Sequence, residues 1–503
     1  MRNKILKIHN LKQSLIDKRF VLAHGVFDLF HVGHKRHLES AKSYADFLVV
    51  SITADKYVNK GPGRPIFNSD LRSELISSLE FVDYVIINDR ETPIELINQI
   101  KPNYYIKGSD YSDFKKDITG NILKEKRAVE SNNGKFILSN EIEFSSSNLI
   151  NNYLKPSSTI SELKKNIKDL KKFKVECLKS LNQLNKLKVA VIGEIIFDEY
   201  LFSEELEKPS KENISAVQFQ FKKRYLGGSF AIAKQLSKMC GNVTLFSSAS
   251  LDKNQISQIN KSVSECKNLD SKILKSNFKN ITKSRYLNSI NRKIFEVYNR
   301  KGKENFLNPE RLINIMKKKI RKYDAVILCD FGHGFFSKKI SNFLINNSKL
   351  ISVNAQTNAG NRGFNLITKY KKANLVCIDE PELRLALKNN HDTVEKIIPE
   401  LFNLINVKKI LVTLGKRGII IFEKNNKKLS SFKLTGFETN PIDTIGAGDA
   451  VFGIASLLTS IKCDKKIISF ISNLIGAMTT RILGHEKTIE KYEIIKAIEY
   501  SLK

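Results

Sequence analysis

The stretch Pro441-Ile442-Asp443-Thr444-Ile445-Gly446-Ala447-Gly448-Asp449 constrains this chain more than any other. Two glycines flank one alanine, a carboxylate follows at once, and an apolar run (Ala450, Val451, Phe452) begins behind it. That pattern predicts a loop turning into a buried helix. Glycines let backbone N–H groups approach an anion closely, and a helix N-terminus adds a favourable dipole. Asp449 then stands at the mouth of an anion site, where a second negative charge is out of place. A carboxylate so placed suits a general base that deprotonates a hydroxyl attacking a phosphate. Taken alone, the same residues also read as a glycine turn capped by an aspartate, so the chain before them has to decide.

Residues 20–30 (FVLAHGVFDLF) predict a short strand entering a turn. His31-Val32-Gly33-His34 follows, then a helix with Leu38, Ala41 and Ala45 on one spacing. Residues 47–52 predict the next strand, with others near 84–87, 104–106 and 135–138 and helices at about 69–80 and 92–100. Strand–loop–helix–strand repeats of this kind build a parallel α/β sheet. His31 and His34 lie three apart at a helix start and so share a face. Gly33 between them lets a phosphate come close to the backbone. Two imidazoles there can donate hydrogen bonds to a phosphate whose charge grows during displacement. As metal ligands the pair lacks a third partner in the sequence nearby.

The second half repeats the theme. Residues 187–193 predict a strand ending in glycine, with Asp198 and Tyr200 just beyond it. Gly227-Gly228-Ser229 precedes an apolar helix. Residues 325–330, 375–378 and 410–414 predict buried strands that end in Phe331-Gly332-His333-Gly334, Asp379-Glu380-Pro381-Glu382 and Gly415-Lys416-Arg417-Gly418. Ligands of an open parallel sheet gather at the carboxyl ends of its strands, so these segments and the Asp449 loop are expected in one site. Between the halves, residues 151–187 predict a helical linker. A Ser157 or Ser158 cap precedes Ile160, Leu163, Ile167, Leu170 and Phe173 on one stripe. The expected organisation is one domain over 1–150, the linker over 151–187, and a second domain over 188–503.

Charge has to be weighed before any ligand is named. Lys and Arg outnumber Asp and Glu by 84 to 52, a net charge of +32, which suits either nucleic acid or anionic small substrates. The lysines are spread along the whole chain, without an RNA-binding or helix-turn-helix signature, so a nucleic-acid partner is not expected. The six cysteines are scattered and form no C-x-x-C, which predicts reduced thiols in a cytoplasmic protein. The basic N-terminus never forms an unbroken apolar core, and no run is long enough to cross a bilayer. Neither a signal peptide nor a membrane partner is expected.

Gly25-Val26-Phe27-Asp28-Leu29-Phe30-His31-Val32-Gly33-His34 resembles the signature of the cytidylyltransferase-like nucleotidyltransferases. Lys60-Gly61-Pro62-Gly63-Arg64-Pro65, Arg72, Lys107-Gly108-Ser109-Asp110-Tyr111 and Ser145-Ser146-Ser147 agree with it. The resemblance implies a Rossmann-like domain that joins an NTP to a phosphorylated alcohol or sugar and releases pyrophosphate, with Mg2+. It implies that His31 and His34 stabilise the α-phosphate. It also places Gly25, Phe27, Gly33 and Lys107 around the nucleotide, and Ser145, Ser146 and Ser147 at the triphosphate. The KGPGRP and KGSDY stretches are most similar to adenylyltransferases of ADP-heptose synthesis. Phe144 stands where some cytidylyltransferases carry a basic residue, which favours ATP over CTP as nucleotidyl donor.

The second half, over about 188–485, resembles the ribokinase-like (PfkB) sugar kinases. The resemblance implies Asp449 as base, with the amides of Gly446, Ala447 and Gly448 as anion hole for the γ-phosphate of ATP. It sets Thr413, Gly415 and Asn473 along the nucleotide, Glu382 at Mg2+ and its water, and Asp198, Gly227 and Gly228 at the sugar. Glu382 also reads simply as a helix-start carboxylate. Departures from that family's pattern fall at Glu194, Ala231, His333 and Asp379, mainly on the expected acceptor side. Together the halves resemble the bifunctional heptose kinase/adenylyltransferases of ADP-heptose synthesis, with the two modules in reversed order. The expectation is a bifunctional, homo-oligomeric enzyme. It phosphorylates a sugar with ATP, a heptose phosphate at its anomeric oxygen. It then transfers a nucleotidyl group to a sugar 1-phosphate, giving an NDP-sugar such as ADP-heptose for surface polysaccharide. Two alternatives stay open: a CTP-dependent transferase for an alditol or glycerol phosphate fused to a kinase of other specificity, and a kinase domain that only senses sugar.

Overall fold

The computed structural model describes residues 4–58, 64–108, 121–139, 169–206, 216–250, 252–276, 280–299, 308–426, 428–437 and 441–502. Residues 60–63, Ser109, Asp110 and Tyr111, Ser145, Ser146 and Ser147, and Ile160, Leu163 and Ile167 lie outside them. The backbone divides into two compact units, Met1–Ser158 and Thr159–Lys503.

The first unit is built on strands β1 (Phe20–Gly25), β2 (Phe47–Thr53), β3 (Tyr84–Asn88), β4 (Tyr104–Lys107) and β5 (Lys135–Leu138). They run in the order β3-β2-β1-β4-β5, every neighbouring pair parallel. Central strands of such a sheet are covered on both faces, which is why β1 and β2 read as near-continuous apolar runs. Leu22, Val49 and Tyr105 bury one face with Leu11, Ile97 and Val129. Val21, Ala23, Leu48, Val50 and Ile106 bury the other with Leu38 and Ile76. The chain leaves β1 toward β2 on one side and returns to β4 on the other. The carboxyl ends of β1 and β4 therefore flank the switch point, where a crevice opens in folds of this type. The expected helices run Ser69–Ser77 and Ile94–Ile100, and a short helix at Ile8–Ser14 adds to the expectation.

The second unit holds β6 (Lys188–Gly193), β7 (Ile195–Glu205), β8 (Val217–Gly228), β9 (Asn242–Ser250), β10 (Leu269–Ser276), β11 (Ile281–Leu287) and β12 (Lys293–Asn299). It continues with β13 (Ala325–Asp330), β14 (Ile351–Ala355), β15 (Lys372–Asp379), β16 (Asn406–Thr413), β17 (Ile419–Asn425) and β18 (Lys428–Leu434). One sheet has the order β10-β9-β6-β13-β14-β15-β16-β17-β18, parallel as far as β16 and antiparallel beyond. A second sheet, β12-β11-β7-β8, was not anticipated. Most of β8 is exposed, so it carries little of the buried-strand signal, and β7, which pairs with it, also pairs with β11 some eighty residues further on.

Two helices, Ala447–Ser460 and Lys465–Thr479, are buried nearly all round, as core helices are. Phe452 and Ile468 join a core that also takes Leu170, Cys177, Leu181 and Leu184. The helix Lys174–Gln183, within the stretch expected as a linker, is thus anchored in the core of the second unit. Among the described residues no helix is long and apolar enough to cross a membrane.

Candidate active site

The loop before Asp449 is shaped by its glycines. Gly446 has φ 77°, a left-handed conformation that a side chain resists, and it caps the helix Ala447–Ser460. A Cβ there would meet His485 Cε1 at 2.7 Å. The first-turn amides of a helix have no partner within the helix, which makes a helix start a candidate anion site; here the Ala447 amide also reaches Thr444 O at 3.4 Å. Asp449 sits in that first turn, and its Oδ1 accepts from Gln356 Nε2 at 2.9 Å. Burial pushes its carboxyl up to about 7; Lys283 pulls it down and Asp198 pushes it further up. A carboxyl poised near neutrality is well matched to taking a proton at pH 7.

This loop borders a cavity of about 710 Å³. Thr413, Gly415, Asn473, Gly446, Ala447 and Gly448 line it, and so do Asp198, Gly228, Glu382 and Asp449. The ends of β7, β15 and β16 and the head of a core helix therefore bring these expected residues together. Gly227 stands apart, behind Asp198: a Cβ there would lie 1.9 Å from Asp198 Oδ2. Asp198 is buried and accepts from Arg285 Nη1 at 2.5 Å, while Arg285 also pairs with Glu296. Asn473 donates from Nδ2 to Thr435 O at 2.7 Å.

Glu382 closes a reciprocal cap on the helix Glu380–Leu387. Its amide donates to Asp379 Oδ1 at 2.7 Å, and its own Oε2 accepts from the Asp379 amide at 3.3 Å. Its Oε1 accepts from Thr357 N at 2.8 Å. Burial, then the Asp379 charge, pushes its carboxyl up to about 8. Asp379 is thereby explained as the cap. Among the described residues no cluster of three or more His, Cys, Asp or Glu could hold a metal by itself.

Two other departures prove structural. The Glu194 carboxylate is buried and accepts from the amides of Phe331, His333 and Phe335, each at 3.2 Å. It clamps the 331–335 loop, and burial with nearby Asp330 raises its carboxyl to about 7. Ala231 alone remains beside Asp449, lining a neighbouring cavity of about 200 Å³ that meets the larger one at Gly446, Asp449 and His485. Sequence reasoning missed Gln356, Lys283, Arg285 and His485. Each becomes visible only when distant strands are assembled, and no local motif marks them.

In the first unit, His31 caps the helix Val32–Lys42, and its Nδ1 accepts from Gly33 N at 3.1 Å. An accepting Nδ1 leaves the proton on Nε2. The His31 and His34 rings stack at 3.9 Å, with Phe27 and Phe30 against His34. Phe27 and Leu29 have φ of 50° and 49°, strained for residues with side chains. Asp28 between them is fully buried and holds the turn. Its carboxylate accepts from Arg64 Nε at 2.6 Å and from the Ile66 and Phe67 amides at 2.9 and 3.3 Å. Gly25 packs its backbone against the Phe27 ring. Arg72 donates to Thr53 O and Asp55 and knits β2 to this turn through Val26 O. Lys107, at the end of β4, pairs with Glu125 Oε2 at 3.2 Å. Burial and then the Lys107 charge lower His24, and lower His37 to about 4.

Residues 22–152 match the cytidylyltransferase-like family and residues 186–462 the pfkB family carbohydrate kinase. The bifunctional protein HldE of Aliarcobacter butzleri is 46% identical over 132 residues, 26% of this chain and 26% of its own. That of Helicobacter pylori is 37% identical over 133 residues, 26% of this chain and 29% of its own. The chain thus spans about a quarter of the length of the curated relatives it matches. Phosphofructokinase-2 from Escherichia coli matches in fold at TM-score 0.51 and 12% identity, over 63% of this chain and 100% of its own.

Proposed function

The chain belongs to the pfkB family of carbohydrate kinases, and from that premise we propose that it is a bifunctional enzyme, a sugar kinase joined to a nucleotidyltransferase. We place the transferase over 1–150 and the kinase over 188–503. The kinase reading is carried by Asp449, a carboxylate with a raised pKa at the head of a glycine-opened helix inside a cavity. ATP lies along Thr413, Gly415 and Asn473 and directs its γ-phosphate at the amides of Gly446, Ala447 and Gly448. A sugar hydroxyl held near Asp198, Gly227 and Gly228 gives its proton to Asp449 as its oxygen attacks the γ-phosphorus. The bond to ADP breaks as the new one forms. Positioning and charge supply most of the rate in such a transfer. When bound, Mg2+ carried by the nucleotide would neutralise phosphate charge, and Glu382, whose oxygens each accept one amide, would help to order it and its water.

In the transferase, a sugar 1-phosphate oxygen attacks the α-phosphorus of an NTP, and pyrophosphate leaves. His31, its proton on Nε2, and His34 donate to the α-phosphate as its charge grows. Gly25, Phe27 and Gly33 shape the turn around the nucleotide. Lys107 adds positive charge, and Ser145, Ser146 and Ser147 contact the triphosphate. A heptose phosphate as sugar is supported by the similarity of the first unit to proteins named HldE, and ATP as nucleotidyl donor by Phe144, at a position where some cytidylyltransferases carry a basic residue. The product is then ADP-heptose, a precursor for surface polysaccharide made in the cytoplasm by a homo-oligomer.

The test uses the full chain. ATP with a heptose phosphate should yield ADP, and ATP with a heptose 1-phosphate should yield pyrophosphate. No ADP from any of a panel of sugars and sugar phosphates would refute the kinase. Pyrophosphate from CTP but not from ATP would overturn the choice of donor.

A further inference from the structure

Asp443 lies six residues before Asp449, and its carboxylate has no exposure to solvent. Four donors close on it. Lys293 Nζ reaches Oδ1 at 2.5 Å, and the Ile445 amide reaches the same oxygen at 3.0 Å. The Tyr200 hydroxyl reaches Oδ2 at 2.8 Å, and the Gly484 amide at 2.9 Å. Lys293 opens β12 and Tyr200 lies on β7, so both belong to the four-stranded sheet. That sheet also carries Asp198, Lys283 and Arg285 to the large cavity. Gly484 precedes His485, whose ring stands against Gly446. One buried carboxylate therefore joins the sheet, the His485 segment and the glycine loop. Lys293 is the charged donor among the four, and 35% of its side chain is exposed.

We propose that Lys293 is a positioning residue: a tethered cation that neutralises Asp443 and sets the conformation of the 443–449 loop. A buried carboxylate without a counter-charge is strongly disfavoured. The loop can hold Asp443 inside only while β12 presents Lys293, so placing the four-stranded sheet and shaping the anion site become one event. The catalytic consequence rests on the kinase reading; the effect on the loop rests on the geometry alone.

Hydrogen exchange of the full chain tests the second point directly. In Lys293→Met, amides of the 443–449 loop should exchange at least about tenfold faster, with the Lys465–Thr479 helix unchanged. Methylammonium, which can enter the vacated ammonium position, should slow exchange again. The double variant Lys293→Met/Asp443→Asn removes both charges, which keeps the experiment sound if the single variant unfolds. With no charge left to neutralise, its loop should exchange more slowly than in the single variant and should not respond to methylammonium. In ADP formation, Lys293→Met should lose at least about tenfold in kcat with the KM for ATP within about threefold. Unchanged loop exchange, or equal acceleration in loop and helix, would overturn the proposal. If the parent protein forms no ADP from any sugar, the kinase reading falls and the exchange result still decides the role of Lys293.

Discussion

Replacing Asp449 by Asn tests site and electrostatics at once. The side chain keeps its size, and its oxygen can still accept from Gln356, so the packing is preserved. Turnover to ADP should fall by about 10²–10⁴-fold, the usual weight of a general base. Stability should move the other way. The carboxyl rises from 3.8 to about 7 on folding, chiefly through burial. A carboxyl raised in the folded state stabilises it only while protonated in both states, below about pH 4, and this contribution is lost as pH climbs toward 7. Three pH units at about 1.4 kcal/mol each set an upper figure of about 4 kcal/mol. Asp449 is only partly buried, and solvent screening in the cavity reduces this to about 2 kcal/mol. For a unit the size of Thr159–Lys503, that corresponds to roughly 3 °C in Tm. Scanning calorimetry of the full chain should find parent and variant together near pH 4. The variant should lead increasingly up to pH 7, with a constant gap above it. A variant less stable than the parent at pH 8 would refute the electrostatic reasoning, and ADP formation within tenfold of the parent would refute the assignment of the base.

His34→Ala should lower pyrophosphate release by about 10²–10³-fold while ADP formation continues; parallel loss of both activities would count against separate sites. Gly227→Ala should displace Asp198, because the new methyl would fall 1.9 Å from its Oδ2. The acceptor KM should then rise about tenfold at constant KM for ATP, and an unchanged acceptor KM would contradict the placement. Glu194→Ala leaves three amides of the 331–335 loop without their acceptor and should cost about 3 kcal/mol or more in calorimetry. Glu194→Gln, which keeps an accepting oxygen, should cost less; equal losses would exclude the clamp.

Much of this was legible locally. The apolar runs of β1, β2, β6 and β13 announce strands covered on both faces, because a parallel sheet asks for that at every position. Glycines at 446 and 448 and the histidines at 31 and 34 announce loops that open helices, because loop and helix start fall within a few residues. The stretch expected as a linker holds a helix over 174–183, beyond the stripe expected at 160–173, and only packing shows that Cys177 and Leu181 join the second core. The four-stranded sheet was not legible, because β8 is largely exposed and β7 pairs with β11 across some eighty residues. Glu194 and His333 read as acceptor-side departures; the structure turns Glu194 onto three backbone amides instead.

By itself, then, the sequence determined the two parallel α/β units and the loops that open the helices at Val32 and Ala447, since both depend on short-range periodicity and on what glycine permits. Tertiary structure alone decided what surrounds those loops. Gln356 reaches Asp449 across 93 residues, Lys293 reaches Asp443 across 150, and Tyr200 reaches it across 243. Such pairs follow from the order in which strands assemble, and that order is settled by burial of the whole core rather than by any run of neighbouring residues.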